Sequence, residues 1–398
     1  MGTKQYDSAT DLITFSRASS ATFLGSNGLL QTAANNVPRI EYDATGAVKG
    51  LLIEEARTNI LTYSNDFTNG IWTKQNVSIA SNVSGVTAPD GSETVDKMIP
   101  NSSNNEHRVW DGVSSTAVGE TYSVYAKSAG YDYVWLGYYE GSVYGYAVVN
   151  LTNGVVTASN TANYSVEAST NGFYRISVTK TASGTNPRYI SISPSPTASP
   201  TLNSSNVPYF VGDGTSGIYV WGAQAEAGAF PTSYIPTTGA TATRARDRAE
   251  IPTSAFGYNN DKGSLVIDVL TPVANQFMAI GYFNTSSFYN SRGFSKSNAN
   301  NSSLGPHYML AAYDGSSTKQ VLGQQTQAVY AKLGLSYGDN TSGVKDGGTV
   351  LSATSHYPNP TRLHLGGRDN GLQSQCWIKS IQYYPRQLTD TQLQELTT

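Results

Sequence analysis

Along most of this chain, short apolar clusters alternate with polar positions at a spacing of two, and turn residues interrupt the clusters at short intervals. A spacing of two is that of a half-buried strand, because successive side chains point to opposite faces. The pattern predicts strands over 122–127, 131–139, 144–151, 173–181, 189–193 and 217–226. A second series follows over 263–270, 277–283, 308–313, 329–337 and 362–366. Asp90-Gly91, Asn153-Gly154, Asn171-Gly172 and Gly212-Asp213-Gly214 supply turns between the earlier runs. A last strand is predicted from Trp377 to Tyr384. Thr389 then caps one short helix, with Leu393 and Leu396 on one face. The chain therefore reads as all-β: a jelly-roll β-sandwich over 61–236, a linker over 237–250 and a second β-sandwich over 251–398.

Residues 1–60 carry few large apolar groups and turn signals at Ser26-Asn27-Gly28 and Ala44-Thr45-Gly46. So small a segment buries little by itself, so it reads as an N-terminal arm packing on a neighbouring domain or subunit. Its end, Gly50-Leu51-Leu52-Ile53-Glu54-Glu55-Ala56-Arg57, is a turn glycine, an apolar run and a charged cluster. That suits one buried strand followed by a surface ion pair of little stabilising effect, or a carboxylate–guanidinium pair that fixes entry into the next domain. Glu54 and Glu55 are adjacent, so on a strand they point to opposite faces and cannot act as a catalytic pair. In the linker, Arg244, Arg246 and Arg248 alternate. They read as the basic face of a solvated strand, or as a patch for phosphate or carboxylate groups.

Composition supports strands over disorder. Only 13% of the 398 residues are charged, while Gly (38) and Tyr (27) are abundant, and such aromatic content is high for a disordered chain. The net charge of −3 without a basic block argues against nucleic-acid binding. The single cysteine, Cys376, reads as a small buried hydrophobe and excludes a disulfide within the chain. No apolar run approaches membrane length, and Met1–Asp7 lacks the apolar stretch of a signal peptide. Assembly in a reducing cytoplasm is the expectation.

Catalytic signals are missing. The one G-x-S-x-G spacing, Gly334-Leu335-Ser336-Tyr337-Gly338, falls in the strand predicted over 329–337 and not at a strand-to-helix turn, so it makes no nucleophile elbow. The chain has no H-E-x-x-H and no closely spaced acidic pattern of a concanavalin-A-like glycosidase. His107, His307, His356 and His364 show no ligand spacing and read as structural or surface residues. The strongest recognition candidate is an aromatic run. Tyr131, Tyr133, Trp135 and Tyr139 share one strand face, and Val134 and Leu136 on the other suit the core. Such a face would stack sugar rings, with Asp132 and similar groups bonding hydroxyls, or it would bury against an arm or partner subunit. A weaker set is Asn340, Asp346, Arg368, Asp369 and Asn370.

Several strings carry a resemblance. In order they are Phe15-Ser16-Arg17-Ala18-Ser19-Ser20-Ala21-Thr22-Phe23, Asn27-Gly28-Leu29-Leu30, Val37-Pro38-Arg39-Ile40-Glu41-Tyr42, the stretch from Gly50 to Leu61, Tyr63-Ser64-Asn65-Asp66-Phe67 and Trp72. Over about residues 10–245 the chain resembles tail, fibre or minor structural proteins of tailed-bacteriophage virions, with Phe23 where the family pattern suggests Tyr. Trp221-Gly222-Ala223-Gln224-Ala225-Glu226 and the following 229–236 resemble the closing strand of carbohydrate-binding-type jelly rolls. The last 40 or so residues resemble the end of concanavalin-A-like and laminin-G-like sandwiches. The resemblance implies a virion structural protein, non-enzymatic, with other virion proteins and a host surface glycan as partners, assembled as a homotrimer. Both sandwich types often hold a structural calcium ion, for which Asp132, Asp213 and Glu226 are the candidate ligands. The alternatives are a purely structural decoration protein and a secreted bacterial carbohydrate-binding module.

Overall fold

The computed structural model describes residues 12–113, 119–140, 143–161, 163–180, 188–272, 278–284, 290–297, 307–314, 317–324, 330–338, 340–353, 359–367 and 375–398. It is all-β, built as two antiparallel sandwiches. One sheet of the first sandwich runs, in spatial order, Val156–Ser159, Val143–Asn150, Tyr133–Glu140, Arg188–Ser195, Arg108–Val113 and Thr73–Gln75. The facing sheet runs Tyr164–Ala168, Tyr174–Lys180, Glu120–Ala129, Gly217–Ala227, Asp96–Pro100 and Val77–Ala80. Tyr122, Val124 and Ala126 meet Val134, Leu136, Ile176, Val178 and Ile190 in a continuous core.

The second sandwich recruits the beginning of the chain. Arg39–Tyr42 and Val48–Ile53 extend a seven-stranded sheet beyond Cys376–Tyr384, with Leu52 opposite Trp377. Thr14–Ser16 pairs with Arg248–Pro252 at the edge of the other seven-stranded sheet. The expected arm thus packs on a neighbouring domain by adding strands to it. Gly50, expected in a turn, lies within the strand Val48–Ile53, where the register with Arg39–Tyr42 shifts. Its φ is +121°, and a Cβ there would sit 2.4 Å from the Ile378 carbonyl oxygen. A bulge at glycine is what lets the strand lie this close to its partner.

Cys376 is buried in the second core. Thr389 caps the helix Asp390–Thr397 by accepting from the Gln392 amide, while Gln392 accepts from the Thr389 amide. Leu393 is buried against Val266, Val344 and Leu388, and Leu396 packs beside them. All of this agrees with the sequence.

The charged residues do not. Glu54 is fully buried, and its Oε2 lies 2.7 Å from Arg39 and 2.9 Å from Arg244. Asp247 receives Arg39 at 2.6 Å and Arg17 at 3.1 Å. The Ser233 amide and hydroxyl both donate to Glu54 at 2.7 Å. Arg244 and Asp247 of the expected solvated linker are therefore internal, though Arg248 stays exposed, and of the expected cluster Arg57 pairs with Glu55 while Glu54 is taken inside. Arg244, Asp247 and Glu54 are drawn inside because the two sandwiches close on them, and charges taken out of water must then be paired. Burial alone would raise Glu54, but Arg244 and Arg39, helped by Ser233, outweigh it and hold the carboxyl down at about 2.

Candidate functional site

The expected aromatic face forms only in part. Its alternation is as read, since Val134, Leu136 and Tyr138 point into the first core. Trp135, however, is fully buried and is no surface platform. Its ring lies flat along the strand over Gly137, where a Cβ would come within 2.3 Å of it. Tyr144, Val148 and Val207 close over the indole. Tyr144 meets it edge-on at 5.4 Å and Tyr146 stacks at 5.8 Å. The cover comes partly from residues 203–207, whose loop folds back through the Asn203 side chain and whose Ser205 carbonyl accepts from the Tyr144 amide. Tyr131, Tyr133 and Tyr139 remain half-buried. Tyr131 packs edge-on against Phe210 at 5.7 Å, and Tyr139 lies tilted against Tyr144 at 5.1 Å. Asp132 is exposed and accepts from the Ser128 hydroxyl.

The calcium candidates are not brought together. Asp213 accepts from the Thr215 and Ser216 amides of its own turn. Glu226 is buried and accepts from the Thr232 amide and hydroxyl and from Gln224. Their oxygens are committed to different segments, which does not suit a site needing six or more oxygens. Among the described residues no group of three or more His, Cys, Asp or Glu side chains could hold a metal ion. Asp346 accepts from the Lys332 amide. His356, Arg368, Asp369 and Asn370 lie outside the described residues. His107 is buried, with its ring nitrogens against the Asn76, Ser103 and Phe210 carbonyls, a structural position.

A more complete site lies where the two sandwiches meet, in a cleft of about 800 Å³, within the size range of ligand pockets. Its floor is the outer face of the sheet that carries Glu120–Ala129. On that strand the even positions face the core, so Thr121, Ser123 and Tyr125 face outward. The antiparallel register then sets the floor in rows. Glu167, Arg175, Tyr125 and Trp221 lie opposite one another in succession. Ser165, Ser177, Ser123 and Gln224 form a second row, and Thr179, Thr121 and Glu226 a third. Hydroxyls in these rows bond across strands, Ser165 to Ser177 at 2.7 Å and Thr121 to Thr179 at 2.9 Å.

One wall is the beginning of the chain together with the second sandwich. The Trp377 indole donates to Glu41, and the Lys49 ammonium lies 3.9 Å from the Trp377 ring centroid and 3.5 Å from the Glu41 carboxylate. Phe23, Leu270 and Pro272 add apolar surface, and Phe230 and Tyr234 come from the segment after the last floor strand. On the floor, the Arg175 guanidinium lies 5.5 Å from the Tyr125 ring centroid and donates to Ser123 at 3.2 Å. Burial pushes the Tyr125 hydroxyl up to about 12. The cleft thus offers aromatic and aliphatic surface beside rows of hydroxyl, carboxylate and guanidinium groups. Its residues come from segments far apart in the chain, so no local motif announces it.

No family model matches this chain, and no curated protein matches it. Among solved structures, the carbohydrate-binding module CBM40 of a Ruminococcus gnavus IT-sialidase is similar at 15% identity and a TM-score of 0.28, covering 35% of this chain and 83% of that one. A Trypanosoma rangeli sialidase in complex with the inhibitor DANA gives 9% and 0.32, covering 76% of this chain and 60% of that one. The tandem CBM22 domains of Paenibacillus barcinonensis Xyn10C give 9% and 0.26, covering 83% and 99%.

Proposed function

We propose that this chain is a non-enzymatic glycan-contact protein on the surface of a tailed-phage particle, and that the cleft between its sandwiches receives the glycan. The cleft itself carries the reading: rings and aliphatic side chains stand beside rows of hydrogen-bonding groups, the combination that stacks a sugar face while bonding its hydroxyls. The virion setting, the partner virion proteins and a homotrimer follow from the resemblance of the stretches between Phe15 and Trp72.

Glycan-array binding of the whole chain, followed by calorimetry on Phe23→Ala, tests the cleft. Phe23 is half-buried in the wall, and its loss should weaken binding by roughly a factor of five, from about 1 kcal/mol of aromatic contact. Light scattering reads the oligomer, and chromatography of host polysaccharide after incubation should show no released fragments. A particle reconstruction without this chain would remove the virion setting. The purely structural reading draws support from the covered Trp135, which gives that face a packing role.

A further inference from the structure

Among the described residues of the cleft, the Arg175 guanidinium is left without a carboxylate partner. Four buried arginines have carboxylate partners, Arg17 and Arg39 on Asp247, Arg244 on Glu54, and Arg57 on Glu55, whereas Arg175 is half-buried. Arg175 has none within ion-pair distance among the described residues. Its Nη2 donates to Ser123 at 3.2 Å, and its Nε–H is buried with no hydrogen-bond partner, as are those of Arg39, Arg57 and Arg244, so the missing carboxylate is what sets Arg175 apart. The carboxylates around it are otherwise placed. Glu54 is neutralised by Arg39 and Arg244, Glu226 is held by Thr232 and Gln224, and Glu41 lies with Lys49 and Trp377. Glu167 stands opposite Arg175 in the ladder, exposed and without an ion pair to it. A partly shielded guanidinium without a carboxylate is a costly arrangement unless an anion completes it. The edge Nε–H with a terminal nitrogen is the fork that receives a carboxylate through two parallel hydrogen bonds.

We infer that the glycan taken by this cleft is acidic and that Arg175 receives its carboxylate. The inference rests on the reading of the cleft as a glycan site. The Tyr125 ring beneath the guanidinium fixes its plane, and the hydroxyls of Ser165 and Ser177 lie one row away, where they can meet the sugar's own hydroxyls. A neutral sugar would leave the Arg175 Nε–H as it is.

The test is calorimetry on the whole chain with trimers of galacturonate, glucuronate and mannuronate, each beside its carboxyl-reduced form. At least one acidic trimer should bind ten times or more tightly than its reduced form, a difference of about 1.4 kcal/mol. Arg175→Met should abolish that preference, and Arg175→Lys should restore only part of it, because an ammonium cannot offer the planar fork. Glu167→Gln, at an exposed position, should widen the preference by removing a repelling charge. The inference is overturned if acidic and reduced trimers bind equally, if the preference survives in Arg175→Met, or if only neutral glycans bind. In each of those cases the glycan reading of the cleft stands. If no glycan of any kind binds, or if polyglutamate binds in their place, the reading of the cleft fails as well.

Discussion

Arg244 Nη1 lies 2.9 Å from Glu54 Oε2, and neither side chain reaches solvent. The two residues belong to segments that enter and leave the first sandwich, so the contact ties both ends of that domain to one point. Truncating one partner leaves the other charged, shielded and short of a partner. Arg244→Met should therefore cost about 3–5 kcal/mol, read as a fall in the midpoint of urea unfolding. A loss under 1 kcal/mol would mean that Arg39 and Ser233 suffice for Glu54.

The same carboxylate sets an acid limit. Its folded value, about 2, lies below the ordinary 4.5. Stability from this group is thus complete above about pH 4.5 and drains away as pH falls towards 2, by on the order of 3 kcal/mol in all. The difference in unfolding free energy between wild type and Glu54→Gln should shrink over that window and hold steady from pH 5 to 7. A difference that does not change with pH would refute the linkage.

Asp111 behaves with the opposite sign. Burial on the strand Arg108–Val113 pushes its carboxyl up to about 6 from 3.8. The folded form holds the proton more tightly, so stability from this group falls as pH rises from about 4 to 6 and stays low above that. Asp111→Asn should be at least as stable as wild type at pH 7.5 and lose its advantage at pH 4. Melting curves at the two values decide it, and a variant that is worse at both would show the carboxylate to be needed for packing.

Trp135 should prove structural. Removing a fully buried Trp costs about 3–5 kcal/mol, so Trp135→Ala should unfold at markedly lower urea. Its glycan affinity, measured well below that transition, should equal wild type. Loss of binding by a variant of unchanged stability would return the aromatic strand to the list of contact surfaces.

Much of the architecture was legible because strand alternation is a local property. Gly263–Leu270 has the bounds that its alternation predicts, and Tyr174–Lys180 departs by one residue at each end. The inward turn of Val134 and Leu136 was legible too. What covers a face was not, since the loop over Trp135 comes from a distant part of the chain. Nor could the sequence show which charges are internal. Arg244, Arg246 and Arg248 look alike in their alternation, yet Arg244 is the buried one, set against a buried carboxylate from the other end of the domain, while Arg248 is exposed. The cleft was illegible for the same reason. Tyr125 and Arg175 face each other only through the register of two strands, and Trp377 joins them only after both sandwiches have closed.

The pairing of Leu52 with Trp377 also sets an order of events during synthesis. The strands of the first sandwich emerge from the ribosome as one uninterrupted block and can close on their own, whereas Val48–Ile53 leaves early with Arg39–Tyr42 on one side and finds its second neighbour only when Cys376–Tyr384 appears. Until then Leu51, Leu52 and Ile53 present an apolar edge without cover, the kind of nascent segment that invites mispairing between chains. The second sandwich therefore closes across a long span of chain, and slowly by the measure of contact separation. A ribosome stalled before Cys376 would release a chain with one finished domain and an unsealed edge, a natural substrate for chaperones.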